Sequence, residues 1–531
     1  MALSLRGGRL ADGSGGPLRA GEVHTDGAVQ VDRAVHGAET LDCDGLVVAP
    51  GFIDTHTHSD LVILSEPELR FKTTQGVCCE VLGQDGVSVA PLAEDDVENV
   101  RMQLAGLNGD PPDLDWDWRT VGDYLDRIRD ARPAVDACYL VPHGQVRRAV
   151  LGMSDRAPDE LELDRMCSVL DEGLRDGGVG LSTGLIYPPC AFAATAELEA
   201  LCRVVARHDG VFVVHIRSEG DYALESVAEV IGVARDAGCR LCISHIKLAG
   251  ERNWSKLDAM VELVREGRAS GVDICADQYP YTAGSTMMGA ILPPWAHAGG
   301  HRALMRRLHD PAERARMRAD MLGPPPQPWD NFWSWSGATG IRIADVPRAD
   351  SPYRRFIGRT LAEAAGDEDP LAFAMRLLRE EAMGVSMVAF SQSDEVVRAL
   401  YQEPWVGVCS DGLVGGRPHP RTYGAFTRVL RWLVREEELV GLGEAVRKMT
   451  SLPAAAFGLE GLGHLRPGTA ATLVAFDPAK VVDLGTFDEP VRFSEGVRHL
   501  VVNGRCVIRD GQPTGERPGR VRTGTTRPAR P

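Results

Sequence analysis

The sequence predicts an α/β protein built from alternating strands and helices, with a smaller β domain attached. Short apolar runs rich in β-branched residues recur through the middle of the chain, and segments of helical length and periodicity separate them. This alternation is typical of a βα barrel or of a doubly wound sheet. The 531 residues are long for one compact domain, but an α/β barrel with a satellite domain reaches this size.

The candidate strands of the central unit each consist of an apolar run that ends in polar residues. In chain order they end at GFIDTHTH, CCEVLGQD, CYLVPHG, VGLSTGLIY, VFVVHIRS, RLCISHIK, VDICADQY, SMVAFSQ and WVGVCSDG. A (β/α)₈ barrel has eight strand positions. One of the nine runs must therefore belong elsewhere in the fold, and the sequence does not say which.

The two ends of the chain are predicted to form one small β domain. Residues 1–50 alternate short β-like runs with turns, and residues 463–515 do the same, including a Val-Val-Asn-Gly segment that is typical of a β-hairpin. The central unit then spans residues 51–462. Within it, residues 286–350 are rich in Pro, Trp and Arg and interrupt the alternation, which predicts a lid-like insertion over the barrel mouth. Residues 516–531 are basic and lack periodicity, so we predict a disordered tail.

Composition excludes several classes of function. A formal net charge of −17 argues against a nucleic-acid partner, which needs a basic footprint. No window has the apolar length of a membrane span, and the first twenty residues lack the apolar core of a signal peptide. The 12 cysteines are scattered, which favours reduced thiols over a disulfide framework. We therefore expect a cytoplasmic protein with a small-molecule substrate and no membrane partner. A homo-oligomer is compatible with the sequence.

The strongest local signal is the pair His56 and His58 at the end of a candidate strand. Alternate strand residues point to one face, so these two imidazoles can reach one metal ion. Two incidental strand-end histidines would explain the pair alone equally well. His215, His245 and Asp411, however, each follow another apolar strand in the same way. In a βα barrel such strand ends converge on one mouth, where the active site lies.

Segments spread over nearly the whole chain carry a further signal. They are GRLADG, GFIDTHTHSD, GLSTGLIYPP, HIRSEGD, ISHIKLAG, QYPYTAGST, SDGL, HPRTYGAF, KMTSLPAAAFGL and LRPGTAATLVAFDP. In these segments the chain resembles the amidohydrolase superfamily and, within it, the D-aminoacylase (N-acyl-D-amino-acid deacylase) family. The resemblance implies a (β/α)₈ TIM-like barrel, a small β-sandwich domain from the two ends, and metal-dependent hydrolysis of the amide bond of N-acyl-D-amino acids.

The resemblance also implies a ligand set for two metal positions. His56, His58 and Asp411 would face one position, and His215 and His245 would hold the other. The family usually places a bridging cysteine in a Gly-Asn-Cys-Gly turn, whereas the matching turn of this chain carries Asp85. A carboxylate can span two cations through its two oxygens, so Asp85 is the candidate bridge, although an ordinary turn aspartate is the alternative. We expect one or two Zn²⁺ ions, with another divalent metal as the alternative because Asp85 is harder than a thiolate.

Asp411 is the expected general acid and base. Bound Zn²⁺ lowers the pKa of its water to about 7 and polarises the scissile carbonyl. Asp411 would take the proton from that water and pass it to the leaving amine. Several residues resemble the family's substrate-holding positions: Lys247, Tyr279, Arg421, Tyr187, Tyr281 and Ser285. A surface cation or a packed ring is the alternative for each, and it has nearly equal weight for Tyr281, Ser285 and Tyr187. Arginine suits a carboxylate because its planar fork donates two parallel bonds. His143 is ambiguous and is expected to orient loops.

Two alternatives compete with this interpretation. A cyclic-amide hydrolase, such as a hydantoinase or dihydroorotase relative, would bridge its metals with a carboxylated lysine on the strand after the His pair. No lysine stands there, since Lys72 precedes the strand. A non-catalytic barrel scaffold would be expected to lose metal ligands, and here every ligand position holds a competent residue. Trp295 and the stretch around Trp333 suggest an apolar rim, which favours a hydrophobic D-amino acid over an acidic one.

Overall fold

The computed structural model describes residues 2–33, 35–109, 111, 113–324 and 328–524. The strands are β1 (Leu3–Arg6), β2 (Arg9–Leu10), β3 (Arg19–Ala20), β4 (Val23–Asp26), β5 (Ala28–Val31), β6 (Glu39–Asp42), β7 (Val47–Pro50), β8 (Phe52–Asp54), β9 (Val77–Leu82), β10 (Asp136–Tyr139), β11 (Val141–Pro142), β12 (Gly180–Gly184), β13 (Val211–His215), β14 (Arg240–Ile243), β15 (Ile274–Gln278), β16 (Ala283–Met287), β17 (Ile341–Asp345), β18 (Ser386–Phe390), β19 (Val406–Val408), β20 (Leu473–Phe476), β21 (Val497–Val502), β22 (Arg505–Arg509) and β23 (Gln512–Pro513).

The helices follow the strands of the central unit or belong to the insertion. They are α1 (Val62–Ser65), α2 (Arg70–Thr73), α3 (Val97–Asn108), α4 (Val121–Ala131), α5 (His143–Leu151), α6 (Glu160–Arg175), α7 (Thr195–Arg207), α8 (Ala223–Ala237), α9 (Leu257–Ala269), α10 (Gly300–His309), α11 (Pro311–Leu322), α12 (Phe332–Gly340), α13 (Leu361–Ala365), α14 (Pro370–Glu380), α15 (Asp394–Gln402), α16 (Arg421–Arg428), α17 (Leu442–Met449) and α18 (Ser451–Ala456). A π-helix, Val429–Glu436, continues α16.

Parallel pairing links the strands of the central unit. One sheet has the order β10-β9-β8, and a second has the order β11-β12-β13-β14-β15-β19. Only Leu140 separates β10 from β11. An isolated parallel bridge between Thr57, after β8, and Gly412, after β19, links the far edges of the two sheets. These strands are almost fully buried, as expected for parallel strands covered by helices. The predicted α/β class is confirmed.

One of the nine candidate strands lies outside this parallel series. SMVAFSQ forms β18, which pairs antiparallel with β16 and β17 in a separate three-stranded sheet. β17 comes from the predicted insertion, residues 286–350, which also contributes α10, α11 and α12. The run is apolar because this small sheet buries Met387 and Ala389, not because it occupies a barrel position.

Helices of the central unit begin at recognisable caps and bury one face. At the start of α6, Asp159 accepts from the Glu162 N–H and Glu162 accepts in return from the Asp159 N–H, which is a capping box. The α6 side chains Met166, Leu170 and Leu174 are buried. Neighbouring helices α6, α7, α8 and α9 pack side by side in chain order, as successive βα units require.

The two ends of the chain pair with each other. β20 lies antiparallel to β7, with Leu473 opposite Pro50, inside a seven-stranded sheet of order β23-β22-β21-β20-β7-β2-β3. A four-stranded sheet of order β5-β4-β1-β6 shares a buried apolar cluster with it. The predicted hairpin joins β21 to β22 through Asn503 and Gly504, whose φ angles of 48° and 77° suit an Asn-Gly turn.

The predicted disordered tail is partly wrong. Over residues 516–524 the chain lies against β10: the Gly519 N–H donates to the Pro133 carbonyl, and Val521 forms a parallel bridge with Ala137. Arg522 donates to the buried Asp136 carboxylate at 2.6 Å. This ion pair explains the ordering, because Asp136 would otherwise be an uncompensated buried charge. Residues 525–531 of the predicted tail lie outside the described residues.

Two predictions from composition can be compared with the structure. Across the described ranges, no helix combines the length and apolarity needed to cross a membrane. All 12 cysteines are free, and all except Cys167 are buried. Cys78 and Cys79 lie within β9 in the core, so neither stands in for the bridging cysteine of the family.

Candidate metal centre

The five strand-end residues predicted as ligands converge at one place. His56 and His58 follow β8, His215 ends β13, His245 follows β14, and Asp411 follows β19. Each is at most 5% exposed. The parallel strands bring their carboxyl ends together, so residues separated by up to 355 positions in the chain become neighbours.

The first triplet consists of His56, His58 and Asp411. The Asp411 Oδ1 atom lies 3.4 Å from His58 Nε2 and 3.8 Å from His56 Nε2. Backbone pairing fixes this geometry, because the Asp411 N–H donates to the His56 carbonyl at 2.8 Å and the His58 N–H donates to the Gly412 carbonyl at 3.1 Å. Two imidazole nitrogens and a carboxylate oxygen at this spacing form a set that can hold a metal ion.

Asp85 lies between this triplet and the second pair of histidines. Its Oδ1 atom is 3.6 Å from His56 Nε2 and 3.8 Å from His245 Nε2, and its Oδ2 atom is 3.6 Å from His58 Nε2. The residue adopts a left-handed backbone conformation with a φ of 57°, in a turn that opens at Gly83 with a φ of 80°. This turn aims the carboxylate into the site. Asp85 is therefore placed where a bridging ligand would be needed.

His215 and His245 form the second histidine pair. His215 Nδ1 lies 3.1 Å from His245 Nε2. The opposite ring nitrogens face carboxylates: His245 Nδ1 is 3.0 Å from Glu219 Oε1, and His215 Nε2 is 3.1 Å from Asp330 Oδ2. Carboxylates behind ligand histidines fix the tautomer and orient the ring.

Buried polar atoms without partners show that this donor set fits a metal. Among the described residues, both ring nitrogens of His56, the Nδ1 atom of His58 and the Oδ1 atom of Asp85 have no hydrogen-bond partner. Buried polar groups are normally paired, since an unpaired one costs about 1–3 kcal/mol. Of these atoms, His56 Nε2 and Asp85 Oδ1 face each other at 3.6 Å, and a divalent cation would satisfy both.

At His56, Asp85 and Asp411, burial and the neighbouring charges shift the pKa in opposite directions. Burial disfavours the charged form of His56, yet the Asp85 and Asp411 carboxylates outweigh it and raise the pKa of His56 to about 9. Burial also favours protonated Asp85, but His56 holds the pKa of this carboxyl well below its usual range. At Asp411, the nearby Arg421 guanidinium overcomes burial and lowers the pKa likewise. Both carboxylates are thus ionised, as metal binding requires.

A network of buried charges beneath the first triplet supports it. Lys72 Nζ donates to Asp54 Oδ2 at 2.5 Å and to the hydroxyl groups of Thr57 and Ser410, each at 2.7 Å. Glu80 Oε1 is 3.1 Å from the same nitrogen. Through Asp54 and Thr57, Lys72 is bonded to the segment that carries His56 and His58, and through Ser410 it is bonded to the segment that carries Asp411. Lys72 itself is not one of the candidate ligands.

A narrow cavity opens from the candidate metal site, and several predicted substrate-holding residues line it. Arg421 Nη1 lies 2.8 Å from Asp411 Oδ2, and the guanidinium stands 4.3 Å from the centre of the Tyr279 ring. Lys247 Nζ pairs with Glu219 and lies 2.7 Å from His245 Nδ1. Thus the structure brings Lys247, Tyr279 and Arg421 to one side of the cavity.

The remaining predicted residues divide between the cavity and the surrounding core. Tyr187 lines the cavity, with its hydroxyl 2.8 Å from Thr286 Oγ1. Ser285 also lines it, although its hydroxyl donates to the Met387 carbonyl. Tyr281 does not: its ring packs against His419 and Phe487, so this substrate-binding prediction is wrong. The Tyr-Pro-Tyr segment turns, and only its first tyrosine reaches the site.

His143 is a buried structural residue rather than a site residue. Its two ring nitrogens lie 2.8 Å from Thr183 Oγ1 and 2.8 Å from Glu197 Oε1. Glu197 is also paired with Arg147. The two carboxylate contacts tie α5 to α7, in keeping with the orienting role expected for His143.

Sequence reasoning missed several residues of the site. Glu219 stands in the quoted HIRSEGD segment, four residues after His215, but the segment alone gives no sign that it contacts the other histidine. Asp330, Phe332 and Trp335 come from the insertion, and the last two line the cavity. Neither Trp295 nor Trp333, which suggested an apolar rim, lines this cavity. The cavity does have an apolar wall, but Phe332 and Trp335 form it.

Comparisons with known proteins agree with this site. The profile of the amidohydrolase family matches residues 39–312 and 348–508. The N-acyl-D-aspartate deacylase of Alcaligenes xylosoxydans xylosoxydans is 36% identical over 97% of this chain and 94% of its own length. The D-aminoacylase of the same organism is 33% identical, over 98% and 97%.

A solved structure is similar over the same extent. The N-acyl-D-glutamate deacylase of Bordetella bronchiseptica, solved with zinc and a phosphonate mimic of the tetrahedral intermediate, superposes with a TM-score of 0.81. It is 32% identical and covers 98% of this chain and 99% of its own. The chain therefore belongs to the amidohydrolase family and, within it, to the D-aminoacylase (N-acyl-D-amino-acid deacylase) family.

Proposed function

We propose that this chain hydrolyses the amide bond of N-acyl-D-amino acids to a carboxylate and a free D-amino acid, using a divalent metal. The observation that carries the proposal is the position of the Asp85 carboxylate between the two histidine pairs, with Asp411 beside it. The full-length similarity to deacylases of N-acyl-D-amino acids supports it. Because Lys72 pairs with Asp54 instead of reaching the histidines, the linear-amide hydrolase is favoured over a lysine-bridged cyclic-amide hydrolase.

Two metal positions are available to the donor set. His56, His58 and Asp411 would hold one, His215 and His245 the other, and Asp85 would bridge them. Bound zinc would polarise the scissile carbonyl and lower the pKa of an attacking water to about 7. Zinc is our first expectation, supported by zinc in the similar Bordetella deacylase. One or two ions are equally compatible with the residues, and Asp85 leaves a harder divalent metal as the alternative.

Asp411 is the proposed proton carrier. Its carboxylate is ionised and lies beside the ligand histidines, so it can accept the proton of the attacking water and deliver it to the leaving amine. Arg421 holds the other carboxylate oxygen at 2.8 Å and thereby orients the group. A substrate carboxylate that attracts Arg421 would weaken this ion pair and make Asp411 a stronger base.

The cavity offers a binding surface for the rest of the substrate. Arg421 and Tyr279, with Lys247 beside them, are the proposed contacts of the α-carboxylate. Tyr187 is the proposed donor to the carbonyl oxygen, and Ser285 completes the same wall. Phe332 and Trp335 supply an apolar wall, which favours a hydrophobic side chain. At the level of architecture, we infer that the two parallel sheets form one (β/α)₈ barrel and the terminal sheets a β sandwich.

We expect the purified chain to release free amine from N-acetyl-D-amino acids and not from their L-enantiomers. Within the D-series, kcat/KM for N-acetyl-D-leucine and N-acetyl-D-methionine should exceed that for N-acetyl-D-glutamate by at least about tenfold, because the loss of buried apolar contact is worth 1–3 kcal/mol. Amine release at saturating Zn²⁺ measures both ratios. Preference for the acidic side chain would overturn the apolar-wall argument, while cleavage of cyclic amides alone would overturn the proposed reaction.

Changing Asp85 should change metal preference. We expect Asp85→Cys, which installs the softer ligand usual in the family, to raise the affinity for Zn²⁺ relative to Mn²⁺ by at least about tenfold. Asp85→Ala should lose one of two bound ions if both positions fill. Metal content at buffered free-ion concentrations, measured by mass spectrometry, reports both results without an activity assay. An unchanged Zn²⁺ to Mn²⁺ ratio in Asp85→Cys would show that Asp85 is an ordinary turn residue.

A further inference from the structure

A carboxylate from the insertion reaches the second histidine pair. Asp330 lies in the short connection between α11 and α12 and is completely buried. Its Oδ2 atom is 3.1 Å from His215 Nε2. Every other group that contacts the ring nitrogens of His215 or His245 comes from the strand-end segments of the central unit, as far as the described residues show.

The contact determines which nitrogen of His215 is free to bind a metal. An ionised carboxylate can only accept, so opposite ionised Asp330 a neutral His215 carries its proton on Nε2. The lone pair then lies on Nδ1, which faces His245 Nε2 at 3.1 Å. Behind His245, Glu219 Oε1 lies 3.0 Å from Nδ1, and Lys247 Nζ, which is bound to the same carboxylate, lies 2.7 Å from that nitrogen. The two histidines are thus supported by two carboxylates, one from the central unit and one from the insertion.

Asp330 is itself held in place on both sides. Its Oδ1 atom accepts from the Glu219 N–H at 2.8 Å, so the two supporting carboxylates are linked through the backbone. The next residue, Asn331, donates to the Met321 carbonyl at 2.9 Å and accepts from the Ser334 N–H at 3.0 Å. These bonds anchor the start of α12 to the end of α11. Together these hydrogen bonds restrict the position and orientation of the Asp330 carboxylate.

The same segment builds the apolar wall of the substrate cavity. Phe332 and Trp335, two and five residues after Asp330, line the cavity beside the histidines. Trp335 lies so close to Gly220 that a Cβ atom there would be 2.4 Å from its ring. We define residues 329–335 as the inner segment of the insertion. Its position depends on contacts with the loop that follows β13, which is also the strand that carries His215.

We propose that Asp330 is a positioning residue for His215, and that through this contact metal binding at His215 and His245 is coupled to the order of the inner segment. The inference rests on the proposed function only in requiring a metal at this pair. Coupling of this kind is reciprocal: if the ordered inner segment raises metal affinity, the metal must stabilise the ordered inner segment by the same factor. The apolar wall of the substrate cavity would then become ordered as the metal binds at His215 and His245.

Replacing Asp330 with Asn tests the first half of the proposal. The amide keeps the size of the side chain but removes its charge, and loss of such a supporting carboxylate costs about 10- to 100-fold in metal affinity. Asp320→Asn is the matched control, since Asp320 lies in the same insertion but accepts from Trp295. Zn²⁺ affinity is measured by competition with a chromophoric chelator. We expect the loss in Asp330→Asn and no change beyond about twofold in the control.

Hydrogen exchange of the wild-type chain tests the second half. We expect amides of the inner segment to exchange at least tenfold faster in chelator-treated protein than in zinc-loaded protein, and this difference to disappear in Asp330→Asn. Equal protection with and without zinc would overturn the coupling, and unchanged zinc affinity in Asp330→Asn would overturn the positioning role. Both readouts are independent of turnover. A chain that binds zinc in this manner but cleaves no N-acyl-D-amino acid would refute the proposed substrate alone.

Discussion

Asp411→Asn is expected to lower kcat for N-acetyl-D-amino acid hydrolysis by about 10²- to 10⁴-fold, the usual contribution of a positioned general acid and base. The amide has nearly the same shape and can still coordinate a metal through its oxygen, but it cannot accept and return a proton. The local fold should persist, because the Asp411 N–H bond to the His56 carbonyl does not involve the side chain. Amine release under saturating substrate measures the effect.

A matched variant separates proton transfer from general damage. Glu403→Gln changes a buried carboxylate just before β19, the strand that Asp411 follows, but Glu403 pairs with Arg265 and lies outside the cavity. It should stay within about threefold of wild-type kcat. Zinc content of both variants distinguishes a lost proton carrier from a lost ligand. If Asp411→Asn retains zinc and turns over within threefold of wild type, Asp411 is not the proton carrier.

The convergence of the candidate ligands could be predicted because each obeys a local rule. His56, His58, His215, His245 and Asp411 all follow apolar strands, and parallel strands bring their carboxyl ends together whatever the details of packing. Asp85 as the candidate bridge required more than that rule, since an Asp-Gly turn is common; the resemblance to the family pointed to it. The structure then places its oxygens within 3.8 Å of three histidines.

The supporting residues could not be predicted because their roles arise from tertiary contacts alone. Asp330 lies 115 positions after His215, in a segment with no periodic pattern, so the sequence does not indicate that the two meet. Tyr281 shows the opposite error. It shares a motif with Tyr279, but the chain reverses between them, and the second ring enters the core beside His419.

The question that the sequence left open about the fold, and the error about the tail, have a similar origin. The run that became β18 is apolar like the other candidate strands, because a three-stranded antiparallel sheet buries side chains as a barrel does. The tail was predicted from composition, and the basic character that suggested disorder includes Arg522, which neutralises Asp136. The pattern of a sequence indicates which residues are buried and which are polar. It does not indicate which element or residue each of them will contact.

Lys72→Met is expected to lower the free energy of unfolding by about 3–5 kcal/mol, because breaking a buried ion pair leaves its partners uncompensated. Asp54 and Glu80 are both fully buried, and both lie within 3.1 Å of Lys72 Nζ. Methionine matches the length of the lysine side chain, so the effect reports charge rather than a cavity. Urea unfolding followed by circular dichroism measures the change.

The same substitution should also disturb the metal site, which a purely structural ion pair elsewhere would not do. Asp54 accepts from the Ser410 N–H at 2.8 Å, next to Asp411, and lies two residues before His56. Lys480→Met is the control, since Lys480 is 81% exposed beside Asp477 and its pair should contribute less than about 1 kcal/mol. A loss below 1 kcal/mol in Lys72→Met would mean that the buried carboxylates are protonated. If the zinc affinity of Lys72→Met is also unchanged, Lys72 does not help to position His56, His58 and Asp411.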